Sequence, residues 1–210
     1  MTSPAGALAH HFANLDQQRT AARLGMWIFL LTEVMFFGGA IGAYCVYRSL
    51  HPAVFEAAGH ELSKPLGTLN TVVLITSSLT MAMAVLESQT GDRRRLLRWL
   101  LATMGLGVAF LGIKGIEWYT EYLHHRVPGL NFTVDELGPT AELFFACYFA
   151  LTGLHALHMI IGLAVMGVLV RLAYLGRLGP ERFVPVDVTG LYWHFVDIVW
   201  IFLFPLLYLL

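Results

Sequence analysis

The sequence predicts an all-α membrane protein, a bundle of five transmembrane helices with its N-terminus in the cytoplasm and its C-terminus outside. Three observations carry that prediction. Hydrophobic residues make up 57% of the 210-residue chain and charged residues 13%, where a soluble domain carries about 25% charged residues. Five apolar runs are each long enough to cross a bilayer, which takes about 20 residues as a helix. Strand-like alternation is absent, which argues against a β-barrel. The same composition excludes a typical soluble enzyme, a nucleic-acid binder with a basic patch and a disordered tail.

The elements follow in order. Residues 1–23 read as a polar cytoplasmic segment holding Asp16, Arg19 and Arg23. They lack the apolar core of a cleavable signal. Residues 24–210 read as a single transmembrane domain. The first span, Leu24–Tyr47, carries one charge, Glu33. An outer loop, His51–Gly67, leads to the uncharged span Thr68–Leu86. The tight turn Gln89–Arg95, signalled by Gly91-Asp92, returns the chain to Trp99–Tyr119, with Lys114 and Glu117 near its end. A second outer loop, Glu121–Gly138, precedes the uncharged span Leu143–Val170. Gly179-Pro180 and Pro185 break the chain before Val188–Leu210, which holds His194 and Asp197.

Charge sets the orientation. Arg19, Arg23, Arg93, Arg94, Arg95, Arg98, Arg171, Arg177 and Arg182 fall on one side of the predicted topology. Only Arg48, Lys64 and Arg126 fall on the other. The side rich in arginine is the cytoplasmic one by the positive-inside rule. Arg23, Arg98 and Arg171 mark inner helix ends, where a guanidinium pairs well with lipid phosphate. Cys45 and Cys147 lie inside spans and read as buried thiols rather than a zinc site or disulfide framework. Glycines on the first, third and fourth spans, among them Gly38, Gly42, Gly107 and Gly162, read as places where helices pack closely. No matching halves signal an inverted-repeat transporter.

Ionisable residues in a bilayer call for partners. Glu33 sits well inside the first span and reads either as a neutral carboxyl bonded to a neighbouring helix or as a proton relay. An imidazole of the fourth span is its expected partner, His158 before His155. Lys114 and Glu117, spaced i, i+3, read as an intrahelical ion pair. His155 and His158 share that spacing, as do His194 and Asp197. Metal or haem binding competes with helix-to-helix hydrogen bonds for the histidines. The latter reading is preferred, because no Cys, Asp or Glu on the histidine helix completes a site. His194 and Asp197 are expected to pair with one another. An independent small proton or ion transporter and a membrane haem enzyme are the rival function classes.

Four stretches now carry a resemblance: Arg23–Phe37 (RLGMWIFLLTEVMFF), Leu106–Tyr119 (LGVAFLGIKGIEWY), Phe144–Gly162 (FFACYFALTGLHALHMIIG) and Leu191–Leu203 (LYWHFVDIVWIFL). The chain resembles subunit III of the haem–copper oxidases, most of all the cytochrome c oxidase form. The resemblance implies a helical subunit of a proton-pumping complex that reduces O₂. It would lie directly beside the catalytic subunit I, with subunit II and others in the complex, and cytochrome c or another donor would supply electrons. It implies no catalytic residue, no metal and no cofactor in this chain, with haem and copper in partner subunits and phospholipid bound. No nucleic acid is implied. The family's intramembrane carboxylate falls on Glu33, its paired histidines on His155 and His158, and its W-H-x-x-D on His194 and Asp197. The chain starts at what looks like the third helix of the long form, so the two-helix arm that walls the family's lipid cleft is missing. Glu rather than Asp at position 33 favours the cytochrome c class over quinol oxidases; accessory proteins of nitric oxide reductase share parts of these motifs. The expected location is the bacterial inner membrane.

Overall fold

A computed structural model describes residues 12–133 and 138–209 of the chain. Among them there is no strand; six α-helices are joined by short connections. They are α1 (Leu15–Leu50), α2 (Pro52–Glu61), α3 (Lys64–Thr90), α4 (Arg93–Leu123), α5 (Ala141–Tyr174) and α6 (Val184–Phe204), the last continued by a π-helical turn, Pro205–Leu209. Five of them, all but α2, are long and apolar enough to cross a membrane.

Helix ends overrun the apolar runs because capping, not hydrophobicity, fixes them. Asn14 caps α1, its side-chain oxygen accepting from the Gln17 N–H at 2.7 Å, and Asp16 follows in the first turn. Residues 15–23, expected as part of a polar segment, are therefore the first turns of α1. The expected outer loop holds α2, begun by Pro52 and pinned by buried Phe55 and Ala58. Ten residues are too few to cross a bilayer, so α2 does not stand out as an apolar run.

The Gly91-Asp92 turn forms as its residues dictate. Gly91 ends α3 at φ 90°, a left-handed conformation that favours glycine. Asp92 then caps α4, accepting from the N–H groups of Arg94 and Arg95 at 3.0 and 3.1 Å. The resulting hairpin is clasped in its interior by the Thr80 and Thr103 hydroxyls, 2.8 Å apart.

α6 is the central helix and packs on α1, α3 and α5, with α4 behind, against α3 and α5. Its apolar window is 56% buried, against 11% for α1. Trp193, fully buried, sits between α4 and α5 because Gly107 and Gly162 leave it room. A Cβ at either glycine would stand 2.9 Å from the indole ring. Gly38, Gly39, Gly42, Gly105, Gly112, Gly115 and Gly167 meet nothing within 4 Å, so the expectation that these glycines mediate packing within the chain is corrected. They lie on the outside of the bundle.

α1 and α6 run parallel. Their starts are tied by Arg23 and Asp187 at 2.7 Å, and Tyr44 donates to the Leu206 carbonyl at 3.0 Å near the other end. The arginine-rich segments gather at one end: Arg93 bonds the Tyr174 carbonyl and approaches Gly176, and Gly91 abuts Pro180.

Candidate functional site

The ionisable residues this sequence places inside its spans fall into three assemblies, with His155 apart from them. The first joins α4, α5 and the π-helical turn. Lys114, 2% exposed, donates to Glu117 Oε2 at 3.3 Å, to the Tyr148 hydroxyl at 3.1 Å and to the Tyr208 hydroxyl. Both tyrosines in turn donate to Glu117 Oε1, Tyr148 at 2.7 Å. The ammonium also lies 4.6 Å from the Tyr148 ring centre and 5.3 Å from that of Trp200. Its three donors and the carboxylate's two oxygens are thus all used, the condition under which a buried ion pair is tolerated. The i, i+3 spacing brings Lys114 and Glu117 together; the tyrosines come from elsewhere in the chain and carry no spacing signal. One turn farther along, Arg126 binds Glu121 at 3.3 Å and Glu61 at 2.7 Å, tying α2 to the end of α4. The Glu61 and Glu121 carboxylates outweigh the desolvation of the Arg126 guanidinium and raise its already high pKa.

The second assembly joins α1 and α5. Glu33 Oε2 and His158 Nε2 stand 3.2 Å apart, and His158 Nδ1 lies 2.7 Å from the Leu154 carbonyl oxygen. A carbonyl only accepts, so Nδ1 carries a proton. Nε2 then either accepts from a protonated Glu33 or, as imidazolium, donates to a carboxylate. The pair holds one transferable proton in either form. Tyr192 of α6 donates to the His158 carbonyl at 2.9 Å, and the Phe37 ring packs edge-on against the imidazole with centres 5.0 Å apart.

His155 does not share this contact. Three residues along a helix turn a side chain by about 60° net, which aims His155 at α4 and α6. Its ring, fully buried, lies between Phe110 and Trp200 with centres 5.4 and 5.3 Å away. Neither nitrogen has a hydrogen-bond partner among the described residues. The expected helix-to-helix hydrogen bond is replaced by ring packing.

The third assembly lies between α3 and α6. His194 Nδ1 and the Ser78 hydroxyl are 2.7 Å apart. The expected His194–Asp197 pair is not formed; Ser78 takes the imidazole, and neither Asp197 oxygen has a partner among the described residues. The three span histidines therefore point to three different places. No group of three or more His, Cys, Asp or Glu residues gathers to hold a metal among the described residues, and the histidines do not converge on an axial haem pair.

Of the arginines expected at lipid phosphates, Arg23 is engaged by Asp187. Arg98 lines a shallow groove with Glu87, Arg95 and Trp99, and Arg171 is exposed on α5. An apolar groove of about 590 Å³ runs between α1 and α6, lined by residues including Trp27, Leu31, Val34, Phe37, Ile198 and Phe202. Cys45 and Cys147 are free thiols, Cys45 on the outer face of the spanning helix α1 and Cys147 partly buried on α5.

A family model described as cytochrome c oxidase subunit III matches residues 7–210. The chain is 33% identical to cytochrome c oxidase subunit 3 of Thermostichus vulcanus over 188 residues, 89% of this chain and 86% of that one. It is 32% identical to quinol oxidase subunit 3 of Bacillus spizizenii, covering 94% of this chain and 93% of that one. It is 33% identical to cytochrome c oxidase subunit 3 of Arabidopsis thaliana, covering 89% and 67%.

Proposed function

The chain belongs to the cytochrome c oxidase subunit III family, and from that membership we propose that it is an accessory, non-redox subunit of a respiratory terminal oxidase, seated beside the catalytic subunit I with subunit II nearby. In this reading haem and copper belong to the partner subunits. This chain stabilises the catalytic subunit, holds phospholipid and supports proton uptake, with its N-terminus in the cytoplasm of a bacterial inner membrane.

The observation that carries the reading is the α1–α6 groove together with the Glu33–His158 pair, which joins α1 to α5. The groove is apolar, about 590 Å³ in volume, and α1 exposes Trp27, Leu31 and Val34 along it. In this reading Arg98 and Arg171, at the arginine-rich end, pair with headgroup phosphate. Glu33 and His158 share a proton, which suits them to a relay rather than to ligand binding.

Cytochrome c is the proposed donor, on the strength of Glu at position 33. The likeness to a Bacillus quinol oxidase subunit 3 supports a second reading in which quinol is the donor.

The test is to tag this chain, purify what accompanies it, record an optical spectrum and follow O₂ uptake over many turnovers. Haem-bearing subunits should co-purify while the chain alone has no Soret band. A complex lacking the chain should keep its haem and its initial rate but lose activity faster. A Soret band in the isolated chain would overturn the non-redox reading. Transport in liposomes without partners would overturn the oxidase reading.

A further inference from the structure

Asp197 stands at the middle of the last span. At 1.5 Å per residue it is about 20 Å from Val184 and nearly as far from Leu209. It is 3% exposed, and neither carboxylate oxygen meets a donor among the described residues. It lines a cavity of about 330 Å³ between α3 and α6, together with Thr71, Ser78 and His194. Thr71 has no donor to spare, since its hydroxyl accepts from the Trp200 N–H at 3.0 Å and donates to the Gly67 carbonyl at 2.9 Å, and Ser78, 2.7 Å from His194 Nδ1, has one hydroxyl hydrogen for a carboxyl with two open oxygens. The rim is apolar and open. Ile75, Ile198 and Ile201 are 54%, 51% and 47% exposed.

Three things could cover this cavity, and depth separates them. The hydrocarbon core extends about 15 Å either side of the midplane, so headgroup amines and phosphates do not reach Asp197. Acyl chains do reach it but bring no donor, leaving a carboxyl unpaired in hydrocarbon. Water would have to fill a volume worth about ten molecules, at about 30 Å³ each, behind a rim open to lipid. A donor side chain on a neighbouring helix fills the volume, bonds the carboxyl and buries the isoleucines at once.

We propose that the Asp197 cavity receives a hydrogen-bond-donating side chain from a transmembrane helix of another oxidase subunit, and that the α3–α6 face is the contact surface for that subunit. The inference rests on the oxidase-subunit reading above. Because the donor enters from outside, Asp197 is poised but unsatisfied in this chain alone.

The experiment uses the intact complex, purified through a tag on this chain. A photoreactive benzoylphenylalanine replaces Ile75 or Ile198 on the rim, with Asp197 untouched, and adducts are identified by mass spectrometry. Both positions should cross-link to an identified oxidase subunit; adducts to lipid alone, or no protein adduct, overturn the proposal. In parallel, Asp197→Asn and Asp197→Leu are compared with wild type for recovery of haem-bearing subunits at equal membrane levels of the tagged chain. Asp197→Leu should reduce recovery about tenfold, the effect of leaving one buried donor unpaired, and Asp197→Asn, which still accepts, should reduce it less. Equal recovery of all three overturns the proposal, and if the leucine variant fails to accumulate the cross-linking arm decides alone. A wild-type chain that brings down no haem-bearing subunit would sink the oxidase reading instead, a distinct result.

Discussion

Lys114 and Glu33 are both ionisable side chains inside apolar helices, and they are housed in opposite ways. Lys114 is enclosed by Glu117, two tyrosine hydroxyls and three aromatic faces, and is 2% exposed. Glu33 keeps 17% of its side chain exposed and bonds one imidazole. The difference follows the helices. In lipid no hydrophobic force draws helices together, so close packing and polar contacts must do it. α4, α5 and α6 achieve both around Trp193 and the lysine cluster. α1 touches the bundle along one side, held by Arg23–Asp187, Glu33–His158 and Tyr44, and leaves most of its surface to whatever lies beyond.

That contrast can be broken at graded cost. The largest effect is expected at the enclosed cluster. Glu117→Leu leaves Lys114 without its counter-charge and should destabilise by about 3–5 kcal/mol, with a Lys114→Met, Glu117→Leu double variant recovering much of the loss. Thermal denaturation in detergent, followed by tryptophan fluorescence, checks it; a double variant no better than the single one would deny the coupling.

Next comes the packing behind the cluster. Gly162→Val drives a side chain into Trp193 and should cost about 1–3 kcal/mol. Gly112→Ala, on the open surface, should be neutral to stabilising by about 0.5–1 kcal/mol. Equal melting shifts for the two would mean the Trp193 niche is not tight.

At the loose flank, Glu33→Gln should cost less than about 1 kcal/mol and keep the subunit in the complex, because a carboxamide can replace a carboxyl as donor and acceptor. Sustained O₂ turnover should shorten all the same if Glu33 relays protons. A loss of about 3–5 kcal/mol would instead identify an ionised pair with His158.

The smallest effect lies at the surface turn. The backbone N–H of Arg95 above all, with the Arg95 guanidinium and the Arg94 N–H, holds the Asp92 carboxyl below its usual range despite some desolvation. A depressed folded-state value stabilises above the ordinary carboxylate pKa of about 4 and loses that contribution as pH falls through the folded value. Asp92→Ala should therefore lower the melting point slightly at neutral pH, and the difference should shrink as pH falls through the folded-state value. A gap that did not shrink on acidification would show that Asp92 caps α4 without its charge.

How much of this could be read in advance depended on distance along the chain. Five spans, the Gly91-Asp92 turn and the Lys114–Glu117 contact were legible, because run length, turn chemistry and i, i+3 spacing are local. The partner of Glu33 was legible too, since a buried carboxyl needs a donor and the fourth span offered imidazoles. Tyr148 and Tyr208 were not, because nothing local ties them to Lys114. His194 misled: the spacing to Asp197 allowed a pair, but Ser78 on another helix took the imidazole. The glycines misled in the same way, since a small residue reads alike whether it faces a tryptophan or the outside.

The sequence by itself determined that the chain crosses a membrane five times and which family it resembles. Hydrocarbon thickness sets the length of a span, and short strings carry the resemblance. Only the tertiary structure decided which side of each helix turns inward. It enclosed Lys114, gave Glu33 the His158 imidazole and left the cavity beside buried Asp197 open to the outside. Those outcomes depend on rotations and contacts between helices far apart in the chain. In an apolar solvent the apolar pattern does not specify which face is inside, so packing and a few polar contacts must.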